Sequence, residues 1–562
     1  MTAFDWDGRL VGYPTDRAAA YRASGEWSDQ PTTARLHESA ERFADRTALI
    51  TAEATYTFGE LDERTDRIAA GLVGLGLRRF DPVIFQVTNR ASTVLAWYGA
   101  LKAGLIPVAT LAQHRMHEIG HISDRVGAVA HLVESGLTFD LVEFARDVAE
   151  GHRTLRHILT TESSAAEPGT VRIEDLGADI DPAEARALLE AIEAEADPED
   201  VAVFQLSGGT TGVPKVIPRI HAEYWNNALF YARTLGWTEE SRVAHLIPVI
   251  HNAGITCALH GAHSVGAALV LCTPDATAAF ELCGRSGVTD ALIGHGHFQA
   301  AGSPAFDQVA PTIRHVILSG TKVPPELFAA LDDGADHWAG QLFGMAEGMF
   351  LVTPLDAPAA ARAATVGVPV APSDEIRILD PGSEEQVPVG EIGELCCRGP
   401  YTIPGYFGAA EHNATAFTSD GFYRTGDLAA LHEFEDGKRY IAIEGRIKDL
   451  INRGGEKVNA EEVELLLLQH DAIEAAAVVA MPDERLGERA CAFVVSTSGV
   501  ELSMTDVQAH MESLGVAKFK WPERLVWVAE LPRTNVGKVN KKRLRADIAE
   551  RMQNEAFEGA PS

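Results

Sequence analysis

The sequence predicts an α/β body followed by a smaller α+β domain, and three observations lead there. The chain has 562 residues, more than one hydrophobic core usually organises. Through its first two thirds, short apolar runs alternate with amphipathic helical windows, the pattern of a largely parallel sheet. After Gly445 the texture changes to a basic loop and then a mixture of strands and helices about a hundred residues long. The fold class is therefore a large N-terminal domain of mixed sheets and helices, residues 1–447, with a small C-terminal α+β domain, residues 448–562.

In the body, strands are expected at Val201–Leu206 and at residues 243–250, 265–272 and 316–318. Each is an apolar run bounded by Gly, Pro or polar turn residues. Residues 181–200 are rich in Glu and Ala with little apolar face, which predicts a solvated helix leading into the next strand. In the small domain the pattern predicts a helix at 461–470, strands at 475–481 and 491–496, a helix opened by Ser503 and a strand at 524–531. A frayed tail is expected beyond Arg551.

Composition narrows the function classes. Lys and Arg total 48 against 80 for Asp and Glu, a formal charge of -32 spread along the chain, which disfavours nucleic-acid binding. Six cysteines (Cys257, Cys272, Cys283, Cys396, Cys397 and Cys491) form no CxxC and no metal-ligand spacing, and the opening MTAFDWDGRL has no secretory pattern. A reducing cytoplasm is the expected setting. No apolar stretch approaches the roughly 20 residues that span a bilayer, so no membrane segment is expected.

The segment FQLSGGTTGVPK, residues 204–215, sets a Gly- and Thr-rich turn directly after an apolar strand. Glycines let backbone N–H groups converge on an anion, Thr210 and Thr211 add hydroxyl donors, and Lys215 adds positive charge, an arrangement suited to a triphosphate. It is not a Walker A loop, because Lys215 follows Pro214 and precedes Val216. Four further strings follow in order: FGMAEG at 343–348, YRTGDL at 423–428, GRIKD at 445–449 and LPRTNVGKV at 531–539.

With SGGTTGVPK, these strings resemble the motifs of the adenylate-forming superfamily of acyl-CoA synthetases, peptide-synthetase adenylation domains and firefly-type luciferases. Within it, FQLSGGTTGVPKVIPR, RGPYT, HNATAF and INRGGEK are most similar to stand-alone 2,3-dihydroxybenzoate–AMP and salicylate–AMP ligases. The resemblance implies the adenylate-forming fold, ATP and Mg²⁺ as cofactors, and adenylation of an aryl acid with loss of pyrophosphate. It further implies transfer to the thiol of a separate holo carrier protein or, as the rival, to coenzyme A. A catalytically silent acyl-nucleotide binding protein is the alternative from another class, and the presence of Lys538 speaks against it.

The resemblance also assigns roles. Lys538, Glu347 and Thr211 would be catalytic: Lys538 bridging the acyl carboxylate and α-phosphate, Glu347 holding Mg²⁺. Ser207, Gly208, Gly209, Thr210, Thr211 and Lys215 would cradle phosphates. Gly320, Leu342, Phe343, Gly344 and Met345 would form the adenine turn, which Gly320 shares with the acid. Asp427 would accept from the ribose hydroxyls, with Arg446 assisting. Lys448 would be the hinge on which the small domain pivots, presenting the loop 453–455 for thiol transfer. Lys541, Lys542 and Arg543 are expected to begin a solvated helix or to meet an acidic partner.

For the acid, PVIHNAGITCALHG is similar to the family's aryl-pocket stretch. Asn252 would meet an ortho-hydroxyl and His251 the carboxylate, while Ala253 and Cys257 depart from the family's aromatic residue and Ser. Ala253 should enlarge the pocket, and Cys257 offers a weaker hydrogen bond than Ser. The segment IGHGHF, 293–298, departs again with His295 and His297, for which substrate contact, a structural role and a zinc site all stay open.

Overall fold

The structure is a computed structural model. It describes residues 5–163, 167–207, 214–334, 337–453, 456–483, 485–497, 499, 501–534 and 538–558, without the side chains of 456, 457 and 553–558. The chain divides into two compact units. The first comprises Met1–Ile376, Cys397–Tyr423 and Glu433–Ile441; the second comprises Arg377–Cys396, Arg424–His432 and Ala442–Ser562.

The first unit holds two large sheets. One has seven strands in the order Thr170–Arg172, His157–Thr161, Ala130–Glu134, Pro82–Gln86, Ile106–Ala109, Val201–Leu206, Val216–Ile220, parallel except for the last antiparallel pair. The other has nine strands. Its centre runs Trp338–Gly344, His315–Ser319, Asp290–Gly294, Arg242–His245, Ala268–Leu271, Thr47–Ile50, all parallel. Alternation sorts the side chains of this centre onto two buried faces. Val243, Leu269, Leu292 and Ile317 join the core that includes Tyr224 and Trp225, whereas Ala244, Val270, Ile293 and Val316 pack with Ala279 and Phe280. A sheet buried on both faces explains why its strands read as continuous apolar runs.

Several expected elements change at their ends. Val201–Leu206 forms as expected, but the strand beginning near 243 stops at His245. Beyond it the buried side chain of Asn89 takes over the backbone, donating to the Ile247 carbonyl at 2.9 Å and accepting from Val249 N at 2.7 Å. The run 265–272 pairs only over Ala268–Leu271, because Val265 and Gly266 close the preceding helix. That helix spans Asn252–Gly254, a wide π turn at Ile255–Leu259, and His260–Ser264. The solvated helix expected within 181–200 forms at Pro182–Glu193, capped by Asp181, yet it is not wholly solvated: Ala185 and Leu189 are buried.

The second unit contains a five-stranded sheet built on the antiparallel pair Ile473–Asp483 and Gly487–Ser496, with Arg524–Trp527 added in parallel. The helix Ala460–Leu467 is capped by Asn459. Met504–Ser513 opens with a capping box between Ser503 and Asp506, as the sequence indicates, and Lys541–Glu558 runs past the point where fraying was expected. Lys541 does not begin a solvated face: it pairs at 2.7 Å with the largely buried Glu464, and Arg545 pairs with Asp449. Among the described residues no helix is long and apolar enough to cross a membrane.

Candidate functional site

In the first unit, the glycine-rich segment begins and ends as the tip of an antiparallel pair. Ser207 N donates to the Lys215 carbonyl at 3.0 Å, and Lys215 N donates back to Ser207 Oγ at 3.0 Å. Lys215 Nζ lies 5.8 Å from the Tyr406 ring centroid. Gly208, Gly209, Thr210 and Thr211 lie outside the described residues.

Tyr406 belongs to a second group centred on Glu347. The carboxylate is buried, and the Tyr406 hydroxyl donates to its Oε1 at 2.6 Å. The Tyr423 hydroxyl lies 2.8 Å from that of Tyr406 and donates to the same carboxylate oxygen at 3.3 Å. Burial, and then the Glu347 charge, push both phenols well above their ordinary pKa, so they stay protonated donors. A buried carboxylate oriented by two hydroxyls fits a hard cation that takes its remaining ligands from phosphate and water.

The turn that carries Glu347 is fixed from behind. Gly348 has φ +128°, and a Cβ there would lie 1.5 Å from the Tyr401 carbonyl oxygen, so only glycine closes this approach. Asn227 donates to the Gly348 carbonyl at 2.9 Å, and Ile403 N donates to the Glu347 carbonyl at 2.9 Å. Arg219 Nη1 donates to the Ala346 carbonyl at 3.1 Å, and Asn252 Nδ2 donates to the Met345 carbonyl at 3.3 Å.

Arg219 is the hub. Its guanidinium is wholly buried and makes a two-pronged bond with the equally buried Glu223, at 2.8 and 2.6 Å. It also donates to Asn252 Oδ1 at 3.3 Å, and the Tyr224 hydroxyl donates to that oxygen at 3.4 Å. Burial raises the Glu223 pKa despite the opposing pull of Arg219. The sequence reading assigned no role to Arg219, Tyr224, Tyr406 or Tyr423. An arginine inside the apolar strand Val216–Ile220 with Glu223 four residues on was the available signal for the first of these.

The residues expected at the acid lie along the helix after His251 and at the carboxyl ends of central strands, where open α/β sheets bind ligands. His251 is exposed and caps the helix, its Nδ1 accepting from Ala253 N at 3.4 Å. Ala253 is half-buried. Cys257 is fully buried in the π turn, where desolvation pushes its thiol well above the usual range. Gly320, at φ +104°, follows His315–Ser319. A Cβ there would lie 2.8 Å from His295 Nδ1, so Gly320 and His295 adjoin. Leu342 pairs with Ser319 on the next strand, and Phe343, Gly344 and Met345 lead from it to the Glu347 turn. His297 is nine-tenths buried and its Nε2 lies 2.9 Å from the Pro274 carbonyl oxygen. Among the described residues, His251, Cys257, His295 and His297 do not gather within metal-ligand reach of one another, so zinc has no geometry behind it. Among the described residues the one grouping within such reach is His37, Asp62 and Asp66. It already holds the Lys102 ammonium, 2.6 Å from each carboxylate, and the Arg186 guanidinium, so it is a buried ion cluster.

The second unit gathers the remaining expected residues. Asp427, on Tyr423–Glu433, and Arg446, on the neighbouring strand Arg439–Arg446, form a 3.0 Å ion pair. Thr425 Oγ1 accepts from Asp427 N at 3.0 Å and donates to the Leu395 carbonyl at 2.8 Å, fixing the turn in front of the carboxylate. Lys538 has an exposed side chain, but its ammonium stands among other charges. Desolvation lowers its pKa, Arg446 and Lys448 add to this, and Asp427 and Glu461 oppose it. Lys448 is also lowered, by desolvation and then Arg446, and its carbonyl accepts from Arg545 at 3.1 Å.

Residues 36–407 match the family described as AMP-binding enzyme, and residues 462–538 match the AMP-binding enzyme C-terminal domain. The chain belongs to the AMP-binding enzyme family. Among relatives of this AMP-binding enzyme is a salicylyl-CoA synthase / salicylate adenylyltransferase from a Streptomyces species. It is 38% identical over 555 residues, which span 95% of this chain and 97% of the relative. The 2,3-dihydroxybenzoate-AMP ligase of Bacillus subtilis is 37% identical, with 96% and 98% of the two chains covered. Among solved structures, apo MbtA of Mycobacterium smegmatis is 36% identical, with 96% and 98% covered and a TM-score of 0.70. The fold is that of adenylate-forming enzymes.

Proposed function

We propose that the protein is an acid–AMP ligase that activates an aryl carboxylic acid with ATP and then passes the acyl group to a thiol. The observation that carries the activity is the grouping of Asp427, Arg446, Lys448 and Lys538. It offers one carboxylate able to accept from a ribose diol and three cations suited to phosphate. The aryl class follows from near full-length likeness to relatives named for salicylate and 2,3-dihydroxybenzoate.

In the reaction a carboxylate oxygen attacks the α-phosphorus and the bond to pyrophosphate breaks, so negative charge must be met as it redistributes. Lys538 supplies a cation for that charge, standing close enough to Arg446 and Lys448 for their charges to lower its pKa beyond the effect of desolvation. Glu347 is the residue to hold Mg²⁺, which when bound would neutralise phosphate charge, with Tyr406 and Tyr423 orienting the carboxylate. Ser207 and Lys215, with Gly208, Gly209, Thr210 and Thr211, are assigned to the phosphates. Gly320, Leu342, Phe343, Gly344 and Met345 are assigned to the adenine. His251, Asn252, Ala253, Cys257 and His297 are assigned to the acid. Lys448 is assigned as the hinge of a mobile small domain.

The acceptor we propose is the phosphopantetheine thiol of a separate carrier protein, in nonribosomal peptide or siderophore biosynthesis. A relative named as a salicylyl-CoA synthase favours coenzyme A as the second reading. All six cysteines are buried free thiols, which supports a reducing cytoplasm.

The test is acid-dependent exchange of pyrophosphate into ATP across salicylates, dihydroxybenzoates, aminohydroxybenzoates and hydroxylated heteroaryl acids. Lys538→Ala should lower exchange by about 10²–10³-fold while sparing thiol transfer from a preformed aryl-adenylate. Nucleotide binding with no exchange for any acid would establish a silent binding protein instead. Preference for coenzyme A over every holo carrier would decide for the ligase of that type.

A further inference from the structure

The strings RGPYT, 398–402, and HNATAF, 412–417, contain none of the residues assigned to ATP, Mg²⁺ or the acid. Within the first unit they meet the amino-terminal residues 11–21 around a cavity of about 360 Å³. That volume falls in the range of small-molecule sites, about 300–1,000 Å³. Much of the wall is apolar: the exposed Val11, Pro14, Ile403, Phe417 and the buried ring of Tyr21. No residue assigned to the nucleotide, the cation or the acid lines it.

Two arginines also line this cavity, and their charges are balanced differently. Arg398 is neutralised: Nε and Nη2 make a two-pronged bond to Glu375 at 2.9 and 2.8 Å, and Nη1 donates to the Asp420 carbonyl at 2.9 Å. Arg17, half-buried, donates from Nη2 to the same carbonyl at 3.2 Å, and among the described residues no carboxylate oxygen lies within ion-pair distance of it. Its guanidinium has N–H donors to spare beside an apolar space, which suits an anionic group on an apolar body.

The cavity also adjoins the groups that hold the candidate cation site. Ile403 donates its N–H to the Glu347 carbonyl at 2.9 Å. Asn413, another wall residue, clasps Tyr406, accepting from its N–H and donating to its carbonyl, both at 2.9 Å. Tyr406 in turn donates to the Glu347 carboxylate at 2.6 Å. A molecule seated in the cavity therefore packs on the segment 402–406 in the arrangement that orients Glu347.

We propose that this cavity is a second ligand site, for a small organic monoanion with an apolar body whose charged group pairs with Arg17, and that its occupant tightens Mg²⁺ binding at Glu347. The second part rests on the reading of Glu347 as the Mg²⁺ ligand. A ligand favours the arrangement it fits, and the coupling between two sites is reciprocal.

The experiment titrates the whole protein with two fluorescent probes. Anilinonaphthalene sulfonate has an apolar body, one negative charge and no carboxylate to be adenylated; phenylnaphthylamine is the same body without the sulfonate. Arg17→Met should weaken the sulfonate about tenfold or more, the loss of a charged hydrogen bond, and the neutral probe by less than about twofold. Arg17→Lys, which keeps the charge, should recover part of the difference. The neutral probe checks that the variant is folded, and Val11→Trp supplies an independent variant that should fill the cavity and weaken both probes about tenfold or more. At saturating acid, bound sulfonate should lower the Mg²⁺ concentration for half-maximal pyrophosphate exchange at least about twofold in the unaltered protein and not in Arg17→Met. Equal sulfonate binding with and without Arg17, binding untouched by Val11→Trp, or a Mg²⁺ requirement that the sulfonate leaves unchanged or raises overturns the proposal. A Mg²⁺ titration unmoved by Glu347→Gln refutes the cation reading instead, and the dependence of binding on Arg17 is decided without it.

Discussion

Replacing Arg219 by methionine should destabilise the protein severely, by an amount that grows with pH. Arg219 and Glu223 are both wholly buried and joined by bonds of 2.8 and 2.6 Å. With charge centres about 4 Å apart and an effective dielectric of about 20, their attraction is roughly 4 kcal/mol, and loss of one partner from such a pair typically costs about 3–5 kcal/mol. Burial already raises the folded-state pKa of Glu223 while Arg219 pulls it down, so removing Arg219 raises it further. The sign follows. A carboxyl whose folded pKa exceeds its unfolded value of about 4.3 is strained when ionised; wild type and variant share the resulting fall in stability up to the wild-type folded pKa, and the extra loss in the variant grows by about 1.4 kcal/mol per pH unit from there to its higher folded pKa. Urea midpoints measured near pH 5 and near pH 8 test this; midpoints suit a chain of two units better than an extrapolated free energy. Arg219→Met combined with Glu223→Leu removes both charges and should recover most of the lost stability. The recovered protein should nonetheless show a raised KM for the acid, because Asn252 and Ala346 lose a donor. A single variant with an unchanged midpoint, or a double variant no better than the single, refutes the reasoning.

Tyr406→Phe removes a 2.6 Å hydrogen bond to a carboxylate, worth about 1.5–3 kcal/mol, and should raise the Mg²⁺ concentration for half-maximal exchange about tenfold or more. An unchanged Mg²⁺ titration would remove Tyr406 from the cation site. Gly348→Ala drives a methyl against the Tyr401 carbonyl in a left-handed turn, so a loss of roughly 3 kcal/mol or more is expected; a normal melting temperature would contradict it. Ala253→Tyr should shift preference toward smaller benzoates, measured as the ratio of kcat/KM for salicylate over larger hydroxyaryl acids. An unaltered profile would place residue 253 outside the acid pocket.

The legibility of the fold varied with what ended each element. Val201–Leu206 was readable to the residue because Asp200 precedes it and the glycine-rich segment follows. The strand ending at His245 was over-extended because its apolar run continues to Ile250, whereas the ladder is broken by Asn89, more than 150 residues earlier in the chain. The π turn at Ile255–Leu259 has no periodic signature. Glu347, Asp427, Arg446, Lys448 and Lys538 could be proposed from the sequence because each sits inside a distinctive string. Tyr406 and Tyr423 reach Glu347 from 59 and 76 residues away, a proximity that only the fold creates. Arg219 was overlooked because a buried arginine looks like an interruption of an apolar strand until its partner is seen.

That buried arginine bears on how one scaffold can take different acids. Asn252 is joined to Arg219, Tyr224 and the Met345 carbonyl, and the same guanidinium holds the carbonyl beside Glu347. A change at Asn252 would leave several buried polar groups unpaired and disturb the turn of the candidate cation ligand, a penalty independent of the acid. Ala253 and His297 stand outside this network. Ala253 contributes only a methyl, and His297 Nε2 is bonded to the Pro274 carbonyl on a different loop. Changes of shape or polarity at these two positions leave the hydrogen bonds that hold the Glu347 turn in place, so these departures in the sequence fall where the structure tolerates them.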